Sequence, residues 1–356
     1  MNKKPLLIYG ANGYTGQLIL QEAISKGLQP VLAGRKEESI RPLAERYGLE
    51  YHLLSLEEKE RLIDLLRGVR AVIHAAGPFQ ITARPMAEAC IDAGTHYVDI
   101  TGEIDVFELL KGYDQQAKDK GVMLLPGAGF DVVPTDCMAL HLKNQLPDAT
   151  LLSLAFASLG SAVSHGTATT MSLHLGEGGA VRKNGRIVAE PIGQNGRWID
   201  FGVKRLFAMS IPWGDVSTSF TTTGIPNIQT YMAAGKDTYR LMKLQFLFNW
   251  LLRTSTIRAL VKKQINRRPA GPSEMQRMKG KTLVWGEVVN AAGEKKVARM
   301  QCPEGYALTA QTAVLIAQKI LSGGFKPGYQ TPAGCYGEHL ITEVEGIVWE
   351  DVNSLI

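Results

Sequence analysis

Cysteine is scarce. Cys90, Cys137, Cys302 and Cys335 are spread over 356 residues without a C-x-x-C pair, which excludes a disulfide framework. Long apolar runs are absent too, none approaching the roughly 18 residues that a membrane-spanning helix needs. The first five residues lead straight into a strand-like run without a signal-peptide core, so a reducing cytoplasm is the expected location. Neither charge dominates. Lys and Arg number 39 against 34 Asp and Glu, and a net charge of +5 is too small to indicate nucleic-acid binding. The seven histidines show no paired-ligand spacing, so no metal is expected.

What is present is ordinary globular composition at a length of about two domains. Over residues 1–125, short apolar runs alternate with amphipathic helical patterns. Strands are expected at 6–9, 30–33, 51–54, 71–74, 97–100 and 122–125. Runs of four or five apolar residues without period-2 alternation suit strands buried on both faces, and their alternation with helices predicts a doubly wound parallel sheet. After Pro126 the texture changes. A helix is expected over 134–146, then antiparallel strands with hairpin signals at Asn184-Gly185 and Ala292-Gly293, then a helix over 309–321 stopped by Gly323-Gly324. The fold class is therefore α/β, a Rossmann-type domain followed by an α+β domain.

The motif Gly10-Ala-Asn-Gly13-Tyr-Thr-Gly16 sits between the first strand and the first helix. Gly10 would make the tight turn, Gly13 would let a pyrophosphate approach the backbone, and Gly16 would let the helix pack closely. Asn12, Tyr14 and Thr15 complete the loop, and the helix N-terminus offers N–H groups and a positive dipole end. The plain alternative is a strand-to-helix turn with no ligand. The second strand ends at Gly34-Arg35, about twenty residues beyond the glycine turn. There an acid would hold the ribose hydroxyls of NAD, whereas an Arg accommodates a 2′-phosphate, so NADP(H) is the expected cofactor. The strand over 71–74 runs into Ala75-Ala76-Gly77-Pro78-Phe79. Its small residues would let a dinucleotide pass, and Phe79 would wall the nicotinamide.

These blocks, in order with Gly94-Thr-His-Tyr-Val-Asp99, Gly129-Phe-Asp131-Val-Val-Pro134 and Gly323-Gly-Phe-Lys-Pro-Gly328, resemble the saccharopine dehydrogenase-like NADP-binding oxidoreductases. That family includes saccharopine reductases and trans-acting enoyl reductases. The resemblance is dense over 1–136 and thin from 150 to 300. It implies an NADP-binding Rossmann domain (1–130) joined to a substrate and dimerisation domain (131–325). The charge pattern marks a basic helical insert at 238–273, and the order of elements suggests a tail (326–356) returning to the first domain. It implies a homodimer, a small-molecule substrate and reaction in a cleft between the domains. Asp131 matches an Asp that lies near substrate in the saccharopine reductases. Those enzymes carry a Cys-Gly-Gly element early in the second domain, and here residues 156–161 contain no Cys.

Other residues have readings of their own. Asp131 and Asp136 flank a helix start, where capping is the plain role. Asp99 ends a strand on the ligand side, where a loop hydrogen bond is the plain role. His165 opens a helix in the second domain and is a candidate proton relay, with capping or packing as the plain role. Cys137 reads as a core thiol. Tyr239-x-x-x-Lys243 matches the short-chain dehydrogenase pair but falls far beyond the Rossmann half. Between Thr238 and Ser273 there is no acid and a charge of +8, which leaves −3 for the remainder. Residues 239–268 read as one helix, apolar nearly all round, for a partner subunit or a lipid surface.

The sequence thus supports an NADP(H)-dependent oxidoreductase transferring hydride to an imine, enoyl or carbonyl group. The alternatives are an atypical short-chain-type reductase or epimerase, and a non-catalytic NADP-sensing or lipid-surface protein.

Overall fold

A computed structural model describes residues 4–174, 176–265 and 267–352. The chain begins with β1 (Lys4–Tyr9), α1 (Tyr14–Ser25), β2 (Val31–Gly34), α2 (Glu37–Tyr47), β3 (Tyr51–Leu53) and α3 (Lys59–Arg67). It continues with β4 (Val69–His74), α4 (Phe79–Ala93), β5 (His96–Asp99), α5 (Ile104–Lys111), α6 (Asp114–Asp119) and β6 (Met123–Leu125). The pattern expected as one helix from 106 is two, α5 and α6, parted at Gly112 and Tyr113.

Next come α7 (Val133–Gln145), β7 (Ala149–Leu159), α8 (His165–Leu173), β8 (Gly179–Lys183), β9 (Arg186–Glu190), β10 (Gly196–Asp200), β11 (Arg205–Ser210), α9 (Asp215–Thr223) and β12 (Asn227–Ala233). A helical excursion follows, with α10 (Lys236–Lys243), α11 (Asn249–Leu252), α12 (Ser255–Ile265) and α13 (Glu274–Lys279). The chain closes with β13 (Lys281–Asn290), β14 (Lys295–Pro303), α14 (Gly305–Leu321), β15 (Gly328–Tyr329), α15 (Pro332–Tyr336) and β16 (Val348–Val352).

Two compact units result. One comprises 1–133 with 306–335, the other 134–305 with 336–356. In the first, seven parallel strands run in the order β15-β6-β5-β4-β1-β2-β3. Leu6, Leu7, Ile8, Ala71, Val72 and Ile73 are fully buried, because helices cover both faces of a parallel sheet. The chain re-enters this unit at Tyr306, earlier than the residue 326 read from the sequence. The cause is hydrogen bonding: Thr309 Oγ1 accepts from the Phe130 N–H at 3.0 Å, and Thr312 Oγ1 donates to the Ala128 carbonyl at 2.7 Å. Only β15 and its neighbours among the tail residues stay here.

In the second unit the sheet runs β10-β11-β12-β7-β13-β14-β16, with the β8–β9 hairpin joined to β12. The hairpins at Asn184-Gly185 and Ala292-Gly293 both form. The sheet is mixed rather than wholly antiparallel, since β7 and β12 pair in parallel. It also rolls. Arg197 of β10 reaches Glu287 of β13 at 3.0 Å, and Arg299 of β14 holds Asp200 at 2.6 Å. Ala155, Ile199, Phe201, Leu283 and Trp285 pack inside the roll. The end of the chain belongs to this unit, because β16 pairs with β14 and His141 contacts Asp351 at 2.7 Å and Glu338 at 3.3 Å.

Candidate nucleotide-binding and proton-transfer site

The glycine turn is built as its spacing demands. Gly10 leaves β1 with φ +88°, and a Cβ there would lie 2.7 Å from that of Ala76. A Cβ on Gly16 would run into the Gly10 carbonyl oxygen, so this glycine lets α1 descend onto the turn. Gly13 differs. It is exposed, and an added Cβ would meet only the Gly10 oxygen, at 3.4 Å. Its freedom from a side chain serves whatever lies outside the turn. Helical bonding starts at the Gln17 N–H, which donates to the Gly13 carbonyl, and no side chain caps α1. The first turn of the helix therefore presents backbone N–H groups outward, the arrangement that receives phosphate. Asn12 is exposed, with its carbonyl accepting from Gln17, Thr15 is half-buried, and the Tyr14 ring meets Tyr306 edge-on at 5.2 Å.

Arg35 is exposed directly after β2 and makes no hydrogen bond or ion pair with any described residue. Its guanidinium is available for a 2′-phosphate. On the other side of the turn, the Ala75 N–H donates to the Tyr9 carbonyl, and Ala75, Ala76 and Gly77 form an open loop. The Phe79 ring stands edge-on to His74 at 5.5 Å, and the Phe79 N–H donates to Glu103 at 3.2 Å.

Two carboxyls follow at the same ends of the strands, Asp99 buried and Asp131 half-buried. Asp99 is a hub. It accepts from the Tyr97 hydroxyl at 2.6 Å and from the Thr101 and Gly127 N–H groups at 2.9 Å each. Burial outweighs these bonds and pushes its carboxyl up to about 6. All its visible work is in holding loops. Asp131 contrasts with it. Its Oδ1 is buried and has no hydrogen-bond partner among the described residues, and burial pushes the carboxyl up to about 7. Gly102 makes room for it, since a Cβ there would lie 2.6 Å from Asp131 Oδ2. Asp131 is thus available as a neutral acid near pH 7.

His165 lies in the other unit. Ser164 caps α8, and the His165 Nε2 bonds the Arg268 carbonyl at 2.5 Å, which ties α8 to the helical excursion. Tyr239 and Lys243 are also in that unit, with Tyr239 packed on Phe207 at 5.0 Å. Asp136 accepts from the Thr222 hydroxyl at 2.6 Å. Cys137 is buried, and burial pushes its thiol up. The expected single helix over 239–268 is divided at Gln245–Leu247, a 3-10 turn, and near Thr254. Leu241, Leu244, Leu247, Phe248, Trp250 and Leu260 are all exposed on it. The Phe246, Leu251 and Lys262 side chains lie outside the described set.

Local sequence reasoning passed over His74, Thr82, Tyr306 and Thr309. The signal for His74 was a polar residue closing the buried apolar run 71–73. Tyr306 and Thr309 had none, since Thr309 is 179 residues from the Phe130 it bonds and Tyr306 lies farther still from Tyr14.

The comparisons with known proteins agree with this geometry. Residues 6–125 match the family model of the saccharopine dehydrogenase NADP binding domain. Beyond that domain the likeness is thinner. The saccharopine dehydrogenase-like oxidoreductase of Mus musculus is 27% identical over 203 residues, 50% of this chain and 47% of that protein. A lipid droplet localized protein of Caenorhabditis elegans is 26% identical, covering 53% of this chain and 49% of that one. The trans-acting enoyl reductase of Mycobacterium ulcerans is 26% identical over 43% and 39%. The chain thus spans about half or less of the length of these curated relatives. In fold the likeness extends over the whole chain. Apo saccharopine dehydrogenase (L-Glu forming) of Saccharomyces cerevisiae superimposes with a TM-score of 0.68 over 98% of this chain and 100% of that one, at 12% identity.

Proposed function

We propose that the protein is an NADP(H)-dependent oxidoreductase that reduces an imine, enoyl or carbonyl group of a small molecule. The observation that carries this is the unpaired Arg35 guanidinium beside an uncapped glycine-turn helix, in a domain of the NADP-binding type. Gly10, Gly13 and Gly16 shape the turn, with Asn12, Tyr14 and Thr15 around the phosphates. Ala75, Ala76, Gly77 and Phe79 take the nicotinamide side. NADPH, when bound, supplies a hydride to an electrophilic carbon. Asp131 holds the proton that the reduced substrate must gain, and returns to neutral by taking one from water. His165 enters as a second candidate for proton transfer, although its Nε2 is engaged. The test is titration of NADPH against NADH by calorimetry. Tighter binding of NADPH, reversed in Arg35→Asp, supports the reading, and equal affinities in the parent protein refute it.

The helical excursion supports a second element of the reading, contact of residues 239–268 with an anionic lipid surface. The supporting observation is an exposed apolar set, with Trp250 71% and Leu241 65% exposed, in a stretch of +8 charge. No helix among the described residues is long and apolar enough to cross a membrane, so such contact would be peripheral. A second copy of the chain is the competing occupant, in keeping with the expected homodimer. Four free thiols suit the cytoplasm as the compartment.

A further inference from the structure

We infer that His74 is a positioning residue for the loop 75–79, acting through the hydroxyl of Thr82. The inference rests on the nucleotide-binding reading above and adds a part to it. His74 ends β4, is fully buried and is surrounded by the rings of Tyr9 at 5.7 Å, Phe79 at 5.5 Å and Tyr97 at 6.2 Å. Its Nε2 lies 3.0 Å from Thr82 Oγ1. The same hydroxyl lies 2.8 Å from the Ala76 carbonyl and 3.1 Å from that of Pro78.

A hydroxyl has one hydrogen to give, and carbonyls only accept. The Thr82 hydrogen therefore goes to a carbonyl of the loop, and the imidazole must donate to Thr82. This fixes the neutral Nε2–H tautomer. Nδ1 is then a bare lone pair, buried and without a partner among the described residues. A proton on Nδ1 would meet no acceptor, and burial accordingly pushes the imidazole down to about 3. The titratable neighbours are Tyr9, Tyr97 and, across the β4–β5 pair, Asp99. The first two face His74 with their rings, and the Asp99 carboxylate is spent on Tyr97 and two backbone N–H groups.

The consequence falls on Ala76. Its carbonyl is drawn toward α4 by Thr82, while its N, Cα and Cβ lie within 3.0 Å of the place where a Gly10 Cβ would be. The loop is clamped between a helix side chain and the glycine turn, so it is already arranged before a nucleotide arrives.

Thr82→Val keeps the shape and removes the hydroxyl. Calorimetry should show NADPH binding weakened roughly two- to tenfold, the range of one net hydrogen bond, with Thr82→Ser restoring it. In turnover the KM for NADPH should rise with kcat unchanged at saturation. Equal affinity in Thr82→Val and the parent overturns the inference. Spectra of protein labelled with 15N-histidine supply a test that needs no cofactor. His74 should remain the neutral Nε2–H form from pH 5 to 8, and an Nδ1–H form or a titration in that range overturns the inference. If the parent binds no nicotinamide dinucleotide, the underlying reading falls, and the spectra still decide whether the His74–Thr82–Ala76 bonding exists.

Discussion

Replacing Asp131 by Asn tests the energetic claim on which proton transfer rests. The carboxyl is held at about 7 against an ordinary 3.8 because Oδ1 is buried without a donor. Three pH steps at about 1.4 kcal/mol each place the charged form on the order of 4 kcal/mol above its cost in the unfolded chain. The sign follows from the direction. The folded protein holds this proton more tightly than the unfolded one. The group therefore contributes full stability below about pH 4, and that contribution is lost as pH rises to about 7. The amide of Asp131→Asn cannot ionise and keeps the shape. At pH 8 the variant should melt higher than the parent by on the order of ten degrees, at about 2–4 °C per kcal/mol for a unit of this size. The gap should close toward pH 4, while the proposed reductase activity is lost. Calorimetric melts from pH 4 to 9 measure both curves. Parallel curves would show the carboxyl in its ordinary range, and the assignment of Asp131 as a neutral acid would fail with it.

Other outcomes follow from the same geometry. Gly13→Val should abolish NADPH binding and leave the melting temperature near that of the parent, since its Cβ has room within the turn. Gly16→Ala should instead destabilise the first unit, because its Cβ meets the Gly10 carbonyl. Similar melts for the two variants, in a scanning calorimeter, would undo this division of roles. Phe248→Ser with Trp250→Ser should remove binding to vesicles containing phosphatidylglycerol, each side chain being worth roughly 1.5–3 kcal/mol when covered. Dissociation of a dimer by sedimentation would assign the face to a second copy instead. A monomer that ignores lipid before and after the change would refute both.

The first unit was largely legible in the sequence because its determinants are local. A four-residue apolar run, a glycine turn and a strand-end Arg each lie within one element, and the strands they marked at 6–9, 71–74 and 122–125 form. The second unit was harder. The parallel pairing of β7 with β12 joins residues more than seventy apart, which no local pattern records. The excursion read as one helix because its composition is uniform, yet Thr254 Oγ1 accepts from the Ile257 N–H at 3.5 Å and a new helix starts there. At the site, the glycine turn was visible as a motif. The partners that clamp the Ala76 loop were not, because a buried hydrogen-bond chain leaves no periodicity.

The interleaving of the two units bears on how the protein is made. The parallel sheet of the first unit gains β15 only after residues 328–329 have left the ribosome, and the rolled sheet of the second gains its last strand after residue 352. Neither unit is built from one continuous stretch of chain, and the middle segment is made before the first unit gains its last strand. A fragment ending at residue 125, where the family match stops, would lack β15 and leave β6 as a bare edge. Such a fragment should be prone to strand addition between copies.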